Sequence, residues 1–412
     1  MAETASGTSG SGALPAKPEA VSPPFWGRAV VRAASEIAEG ELVLRFANGA
    51  EKTISAARDG ARAVLDVARD RVWRRLMLGG EIGIAEAFMD GDWTSPDLAA
   101  VFEFAARNTE RLTGAVAGLA PLQWMNMLRH KLRANTRSGS RRNIAAHYDL
   151  GNAFYSQWLD PTMTYSSAMF DSEGMSLEEA QRNKWRRLAE TLDLRPGMSV
   201  LEIGCGWAGF AMFAAREYGV RVTGITLSRE QYAFGRAAVS KAGLSGLVDI
   251  QLVDYRDVQG TFDRIASIEM FEAVGEEHWP TFFEVVRKRL NSGGVAGLQI
   301  ITIEDERFNA YRRSADFIQL YIFPGGMLPS PNALQAVATR QGLGFETVRT
   351  FALSYAETLR RWRETFDARW PAIQPLGFDE RFKRMWDYYL ASCEGGFRAG
   401  TIDVGQFRLT RA

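Results

Sequence analysis

The apolar positions along this chain change rhythm several times, and each rhythm implies an element. In Glu41-Leu42-Val43-Leu44-Arg45-Phe46 the alternation is that of a strand, with Asn48-Gly49 as its turn. Residues 61–78 have the spacing of a helix. Ser176 and Glu179 form a capping box that opens a helix ending near Leu192, and Pro196-Gly197 turns the chain afterwards. From there short apolar runs alternate with helical segments. The runs are Val200, Leu201 and Ile203, then 220–225, 250–253, 265–268 and 295–303, the last preceded by Asn291-Ser292-Gly293-Gly294. Apolar runs in a βαβα rhythm demand a parallel sheet covered by helices on both faces. The expected fold is α/β and doubly wound, with a smaller α+β domain over residues 23–110. Residues 304–330 are too long for a plain crossover, and segments of that kind are often functional.

Composition narrows the class. The chain has 412 residues, 46% of them hydrophobic, enough for two domains. Lys+Arg and Asp+Glu are both 49, so no global field draws nucleic acid. Cys205 and Cys393 form no disulfide framework, and three histidines show no metal-ligand spacing. No apolar run approaches the roughly 20 residues of a membrane span. Residues 1–22 are rich in Ser, Gly, Ala, Thr and Pro and lack an apolar h-region. They read as a disordered tail, and the chain as cytoplasmic.

Residues 111–142 read as a basic linker. No acidic residue occurs from Arg111 to Tyr148, while Arg129, Lys131, Arg133, Arg137, Arg141 and Arg142 do. Leu122, Met125, Leu128 and Leu132 share one helical face, with Trp124 beside them. This is the profile of an interfacial helix on an anionic membrane surface. A core-packed helix followed by a solvated basic loop is the other reading.

The densest chemistry lies at Gly204-Cys205-Gly206-Trp207-Ala208-Gly209, between the first apolar run and a helix. Glycines at such a turn let a ligand approach the backbone, and the helix start offers free N–H groups. The spacing satisfies the dinucleotide fingerprint. That fingerprint also expects a ribose-binding carboxylate about 20 residues on, at the end of the second strand. Here that strand ends in Thr226-Leu227-Ser228. Glu202, just before the first glycine, suits the turn of an S-adenosylmethionine (SAM) methyltransferase instead.

Several segments carry a wider resemblance. They are RRNIAAHYDLGNAFYSQWLDPTMTYSSAMF (141–170), GITLSREQYAFGR (224–236), DYRDV (254–258), SIEMFEAVG (267–275), YIFPGGMLPS (321–330) and the tail GFRAGTIDVGQFRLTR. Together they resemble the cyclopropane-fatty-acyl-phospholipid synthases and their mycolic-acid cyclopropane synthase relatives. The 82–93 segment resembles that family's N-terminal domain, used for lipid engagement or dimerisation. The resemblance implies a Rossmann-like class I methyltransferase sheet over 143–412, closed by an antiparallel pair at 345–351 and 406–411. It implies methyl transfer from SAM to the double bond of an unsaturated phospholipid acyl chain, forming a cyclopropane. It further implies a homodimer, associated peripherally with the inner face of the cell membrane.

The same resemblance assigns the site. Gly204 and Gly206, with Glu202, border the methionine part of SAM. Tyr148, Tyr165 and Ser166 cover the amino-acid end. Thr226, Leu227 and Gln231 meet the ribose, and Tyr255 with the Arg256 backbone meets the adenine. Phe317, Tyr321, Ile322 and Phe323 are expected along an acyl channel. Phe170, Phe271 and Tyr321 are candidates for facing a carbocation. In that family a bound bicarbonate takes the final proton. Its carried-over ligands are Glu272, Tyr355, Ile303 and Ser167, the last standing where the family has cysteine. Ile301 stands where the family has histidine. The anion site is therefore rebuilt by another residue, or Glu272 itself takes the proton, or the cation loses a different proton. The last route ends in a methylene- or methyl-branched chain. A non-catalytic lipid-binding protein is the alternative of a different class.

Overall fold

The computed structural model describes residues 25–116 and 150–412. The 1–22 tail, the Leu122–Leu132 helical face, the basic positions 129–142 and Tyr148 lie outside the described residues.

The N-terminal unit runs α1 (Phe25–Ala34), β1 (Glu39–Arg45), β2 (Glu51–Ser55), β3 (Arg58–Val67), α2 (Arg71–Met89), β4 (Trp93–Thr94), α3 (Leu98–Arg107) and α4 (Thr109–Val116). Its sheet has the order β2-β1-β3-β4. β1 and β2 form the hairpin expected at Asn48-Gly49, where the Ala50 N–H donates to Asn48 Oδ1 at 3.1 Å. The helix expected over 61–78 is corrected. Residues up to Val67 form β3, which pairs in parallel with β1 and buries Ala63, Val64 and Val67. Long-range pairing outweighs the local spacing there, and the helix starts only at Arg71. α2 is interrupted at Gly80, whose φ is +56° and ψ −136°.

The second unit opens with α5 (Asn152–Tyr155) and α6 (Leu177–Thr191). The capping box is complete: Glu179 N–H donates to Ser176 Oγ, and Ser176 N–H donates to Glu179 Oε2 at 2.8 Å. There follow β5 (Ser199–Ile203), α7 (Gly209–Tyr218), β6 (Arg221–Thr226), α8 (Arg229–Lys241), β7 (Val248–Leu252), β8 (Phe262–Ile268), α9 (Trp279–Arg289) and β9 (Leu290–Ile303). α10 (Asp305–Tyr311), a π turn (Ile318–Ile322), α11 (Pro331–Arg340), β10 (Leu343–Thr350), α12 (Ala352–Ile373), α13 (Glu380–Ala399) and β11 (Ile402–Arg411) complete it. The sheet order is β10-β11-β9-β8-β5-β6-β7, with β11 antiparallel to both neighbours and the remainder parallel. The chain leaves β5 toward β6 and later returns to its other side with β8. The C-terminal end of β5 is therefore the topological switch point, where such sheets bind ligands.

The two units share one apolar core. It includes Leu42, Trp73 and Phe104 from the first and Phe154, Trp362 and Trp386 from the second. α13 lies directly on α3. A Cβ added at Gly395 would sit 2.5 Å from Phe102 Cβ and 2.8 Å from the Ala99 carbonyl oxygen. Phe154 is fully buried among six aromatic rings: Tyr155, Trp158, Phe366, Phe378, Phe382 and Trp386. No helix among the described residues is long and apolar enough to cross a membrane.

Candidate active site

The glycine turn takes the backbone through conformations that side chains resist. Gly204 has φ +79° and Gly206 φ +53°. A Cβ at Gly204 would meet the Met270 side chain at 2.6 Å, whereas at Gly206 it would enter open space. That open space belongs to a cavity of about 1010 Å³ at the switch point. Glu202 lines it, and its Oε2 is buried without a hydrogen-bond partner. Burial holds the Glu202 carboxyl well above the usual range, against the Ala211 N–H and Lys184. Thr226 Oγ donates to Gln231 Oε1 at 2.9 Å, which fixes which way that amide faces. Leu227, Tyr165, Ser166 and Tyr255 line the same cavity. Burial pushes the Tyr255 hydroxyl up to about 12, so it stays a neutral donor. Arg256 requires a correction. It does not line the cavity; its N–H and guanidinium are both turned to Asp254, at 3.0 and 2.6 Å.

Deeper in the cavity two carboxylates stand three residues apart. Glu269 Oε1 accepts from the Ser167 N–H at 2.9 Å and from Gln299 Nε2 at 2.7 Å. Its Oε2 accepts from Tyr355 Oη at 2.6 Å. The backbone at Glu269 has φ +48°. Glu272 Oε1 accepts from the Ile301 N–H at 2.5 Å, and its Oε2 is buried without a partner. Burial, then the neighbouring Glu269, pushes Glu272 up to about 8, so it is mostly protonated at neutral pH. Burial also raises Glu269, but Lys184, Tyr355, Gln299 and Ser167 oppose it by favouring the charge.

Glu269 is the residue that sequence reasoning missed. It lies in SIEMFEAVG beside the Glu272 that was chosen, and a second acid in that motif was the available signal. The expected anion ligands are present but differently employed. Tyr355 and Ile303 line the cavity. Ser167 does not, because its hydroxyl donates to the Ala168 carbonyl at 2.8 Å, so only its N–H serves the site. Two of the four residues assigned to bicarbonate, Tyr355 through its hydroxyl and Ser167 through its N–H, already hold a protein carboxylate.

The cavity continues past Tyr389 and Phe323 to Leu42, Leu44 and Trp73 of the N-terminal unit. Of the four expected channel residues only Phe323 lines it. Phe317 and Ile322 are buried in the core, and Tyr321 Oη donates to Glu86 Oε1 at 2.7 Å; the π turn directs them there. The expected cation-facing rings are also corrected. Phe170 lies under Arg361 at 4.6 Å, Phe271 packs against Trp279 and Phe282, and neither lines the cavity. Tyr165 and Tyr389, joined through their hydroxyls at 2.7 Å, line it instead.

A mostly parallel sheet with one antiparallel strand, a glycine turn at its switch point and no carboxylate at the end of β6 defines a class I SAM-dependent methyltransferase. Comparison with known proteins gives the same class. The family model "Mycolic acid cyclopropane synthetase" matches residues 135–407. The chain belongs to that family and is a cyclopropane-synthase-like, SAM-dependent methyltransferase. It is 40% identical over 375 residues to "Tuberculostearic acid methyltransferase UfaA1" of Mycobacterium tuberculosis, covering 87% of this chain and 86% of the relative. It is 36% identical over 368 residues to the cyclopropane-fatty-acyl-phospholipid synthase of Escherichia coli K12, covering 86% and 90%. Among solved structures, mycolic acid cyclopropane synthase CmaA1 complexed with SAH and CTAB matches with a TM-score of 0.61 and 34% identity. That match covers 66% of this chain and 98% of CmaA1.

The residues around Gly206 fit SAM, since the open space there admits a ligand and the donors are neutral. Gly206→Val should weaken binding of the demethylated product by at least about tenfold, a loss of roughly 1.4 kcal/mol. The new side chain projects into the cavity and strains the backbone by about 1–2 kcal/mol. Titration calorimetry reads the affinity. An affinity unchanged within about twofold would place the ligand elsewhere.

Proposed function

We propose that this chain methylates the double bond of an unsaturated acyl chain of a membrane phospholipid and ends the reaction with its own base, Glu269. The product under this reading is a methylene-branched chain. The observation that carries it is the Glu269 carboxylate held by Tyr355, Gln299 and Ser167, where the family resemblance assigns bicarbonate.

SAM, when bound, supplies an electrophilic methyl group. A double bond that gains a methyl leaves a cation on the adjacent chain carbon. The apolar wall and neutral aromatic faces of the cavity exclude water, which would quench that cation. Glu269 then receives a proton from the added carbon. Loss of that proton with bonding to the adjacent cation closes a cyclopropane. If a hydride first shifts from the methyl-bearing carbon to the adjacent cation, the charge moves to the methyl-bearing carbon and the same proton loss leaves a methylene branch on an open chain. A saturated methyl branch would need a hydride and a proton from a separate reductant.

The ring is the second reading, favoured by the likeness to the Escherichia coli synthase. The rebuilt anion site serves either route; the higher likeness to "Tuberculostearic acid methyltransferase UfaA1", whose name carries no cyclopropane, supports the branched product. Mass spectrometry of lipids from cells expressing the protein, fed methyl-deuterated methionine, separates them. Both products keep two deuterons of the added methyl, but only the methylene chain remains unsaturated and open to ozonolysis. A ring product whose yield climbs with added bicarbonate would overturn this reading. The lipid substrate also motivates placing the protein as a homodimer on an anionic inner membrane face, with the 1–22 tail and the basic 111–142 segment outside the catalytic unit.

A further inference from the structure

Lys184 of α6 is fully buried, directly behind the cofactor end of the cavity. Its Nζ donates to Ser166 Oγ at 2.6 Å. The next residue, Ser167, donates its N–H to Glu269 Oε1 at 2.9 Å. The Lys184 ammonium and the Glu269 carboxylate are thus tied to adjacent residues of one strap. The Lys184 backbone is linked to the same carboxylate through amides. Gln406 Nε2 donates to the Lys184 carbonyl at 3.3 Å and to Gln299 Oε1 at 3.2 Å, and Gln299 Nε2 donates to Glu269.

We propose that Lys184 is the buried counter-charge that keeps Glu269 ionised, a positioning residue for proton abstraction. This rests on the reading of Glu269 as the base. Three acids act on Lys184: Glu269 after β8, Asp160 after α5 and Glu202 at the end of β5. Asp160 accepts from the Thr162 N–H and hydroxyl at 2.9 and 2.6 Å through one oxygen, and its other oxygen is buried without a partner. Burial raises the Glu202 carboxyl well above the usual range, and it raises Glu269 and Asp160 as well. Glu269 acts on Lys184 most strongly of the three and is the one that three donors hold as a carboxylate, and a buried charge needs a partner. Burial lowers Lys184 to about 7 while Glu269 first, then Asp160 and Glu202, raise it.

The test compares Lys184→Met, Glu269→Gln and the double variant. A lost counter-charge raises the carboxylate pKa, so the acidic limb of kcat in Lys184→Met should move up by roughly 1–3 pH units. KM for SAM should stay within about threefold. Thermal unfolding gives a readout free of activity. Lys184→Met strands a buried carboxylate and should lower Tm, and adding Glu269→Gln should restore much of it. If Lys184→Met alone fails to fold, the double variant should still fold. A raised KM with an unmoved acidic limb would mean that Lys184 serves the cofactor through Ser166. Rescue by Glu202→Gln or Asp160→Asn, and not by Glu269→Gln, would also overturn the proposal. Full turnover in Glu269→Gln would sink the base assignment separately, with the stability cycle still reporting the pairing.

Discussion

Glu269→Gln should lower kcat by about 10²–10⁴-fold, the ordinary contribution of a positioned general base. SAH affinity should stay within about threefold, because Glu269 lies beyond the glycine turn. The side chain keeps its shape and its amide oxygen still accepts from Tyr355, but its NH2 meets the Ser167 and Gln299 donors and it takes no proton. Glu272→Gln should cost much less. Glu272 is pushed up to about 8, so at neutral pH it is already mostly the neutral acid that glutamine imitates. The two variants decide which carboxylate is the base. Equal collapse of both would make the pair a single unit, and collapse of Glu272→Gln alone would return the role to Glu272. The pH profile has a definite sign. Glu269 acts as its carboxylate, so turnover falls as pH drops through its raised pKa. Stopped-time product assays across a pH series read both effects.

Phe154→Ala should destabilise the protein by about 3–5 kcal/mol, the usual result of emptying a buried aromatic site. Phe154 is fully buried, and its six ring neighbours come from α5, α12, α13 and the segments beside them. Rigid rings close poorly around a void, which favours the upper half of that range. Denaturant unfolding followed by tryptophan fluorescence measures it. A loss below about 1 kcal/mol would show that this cluster does not hold the helices of the second unit together.

The sheet was legible because its strands are short apolar runs separated by helical segments, a pattern set by burial on both faces. The 176–192 helix was legible from Ser176 and Glu179, whose side chains act over one turn of chain. β3 was not, because Ala63 and Val64 become a strand only through pairing with β1, which no local window contains. The cofactor end of the site could be read from Gly204, Gly206 and the missing acid after β6, all fixed by backbone geometry. The proton-abstraction end could not. Ser167 is expected as an anion ligand, but its hydroxyl is spent on the Ala168 carbonyl. The choice between Glu269 and Glu272 depends on where Tyr355 and Gln299 arrive from α12 and β9.

Glu269 also carries a cost that reaches beyond its chemistry. At φ +48° it occupies backbone territory that glycine adopts freely and other residues enter only with strain of roughly 1–3 kcal/mol. Glycine there would relieve that strain but would strand the Tyr355, Gln299 and Ser167 donors in a buried site, at about 1–3 kcal/mol each. A search for thermostable variants therefore gains nothing from Glu269→Gly alone. The strain is held in place by the hydrogen bonds it serves, and only a joint change of the residue and its donors would release it.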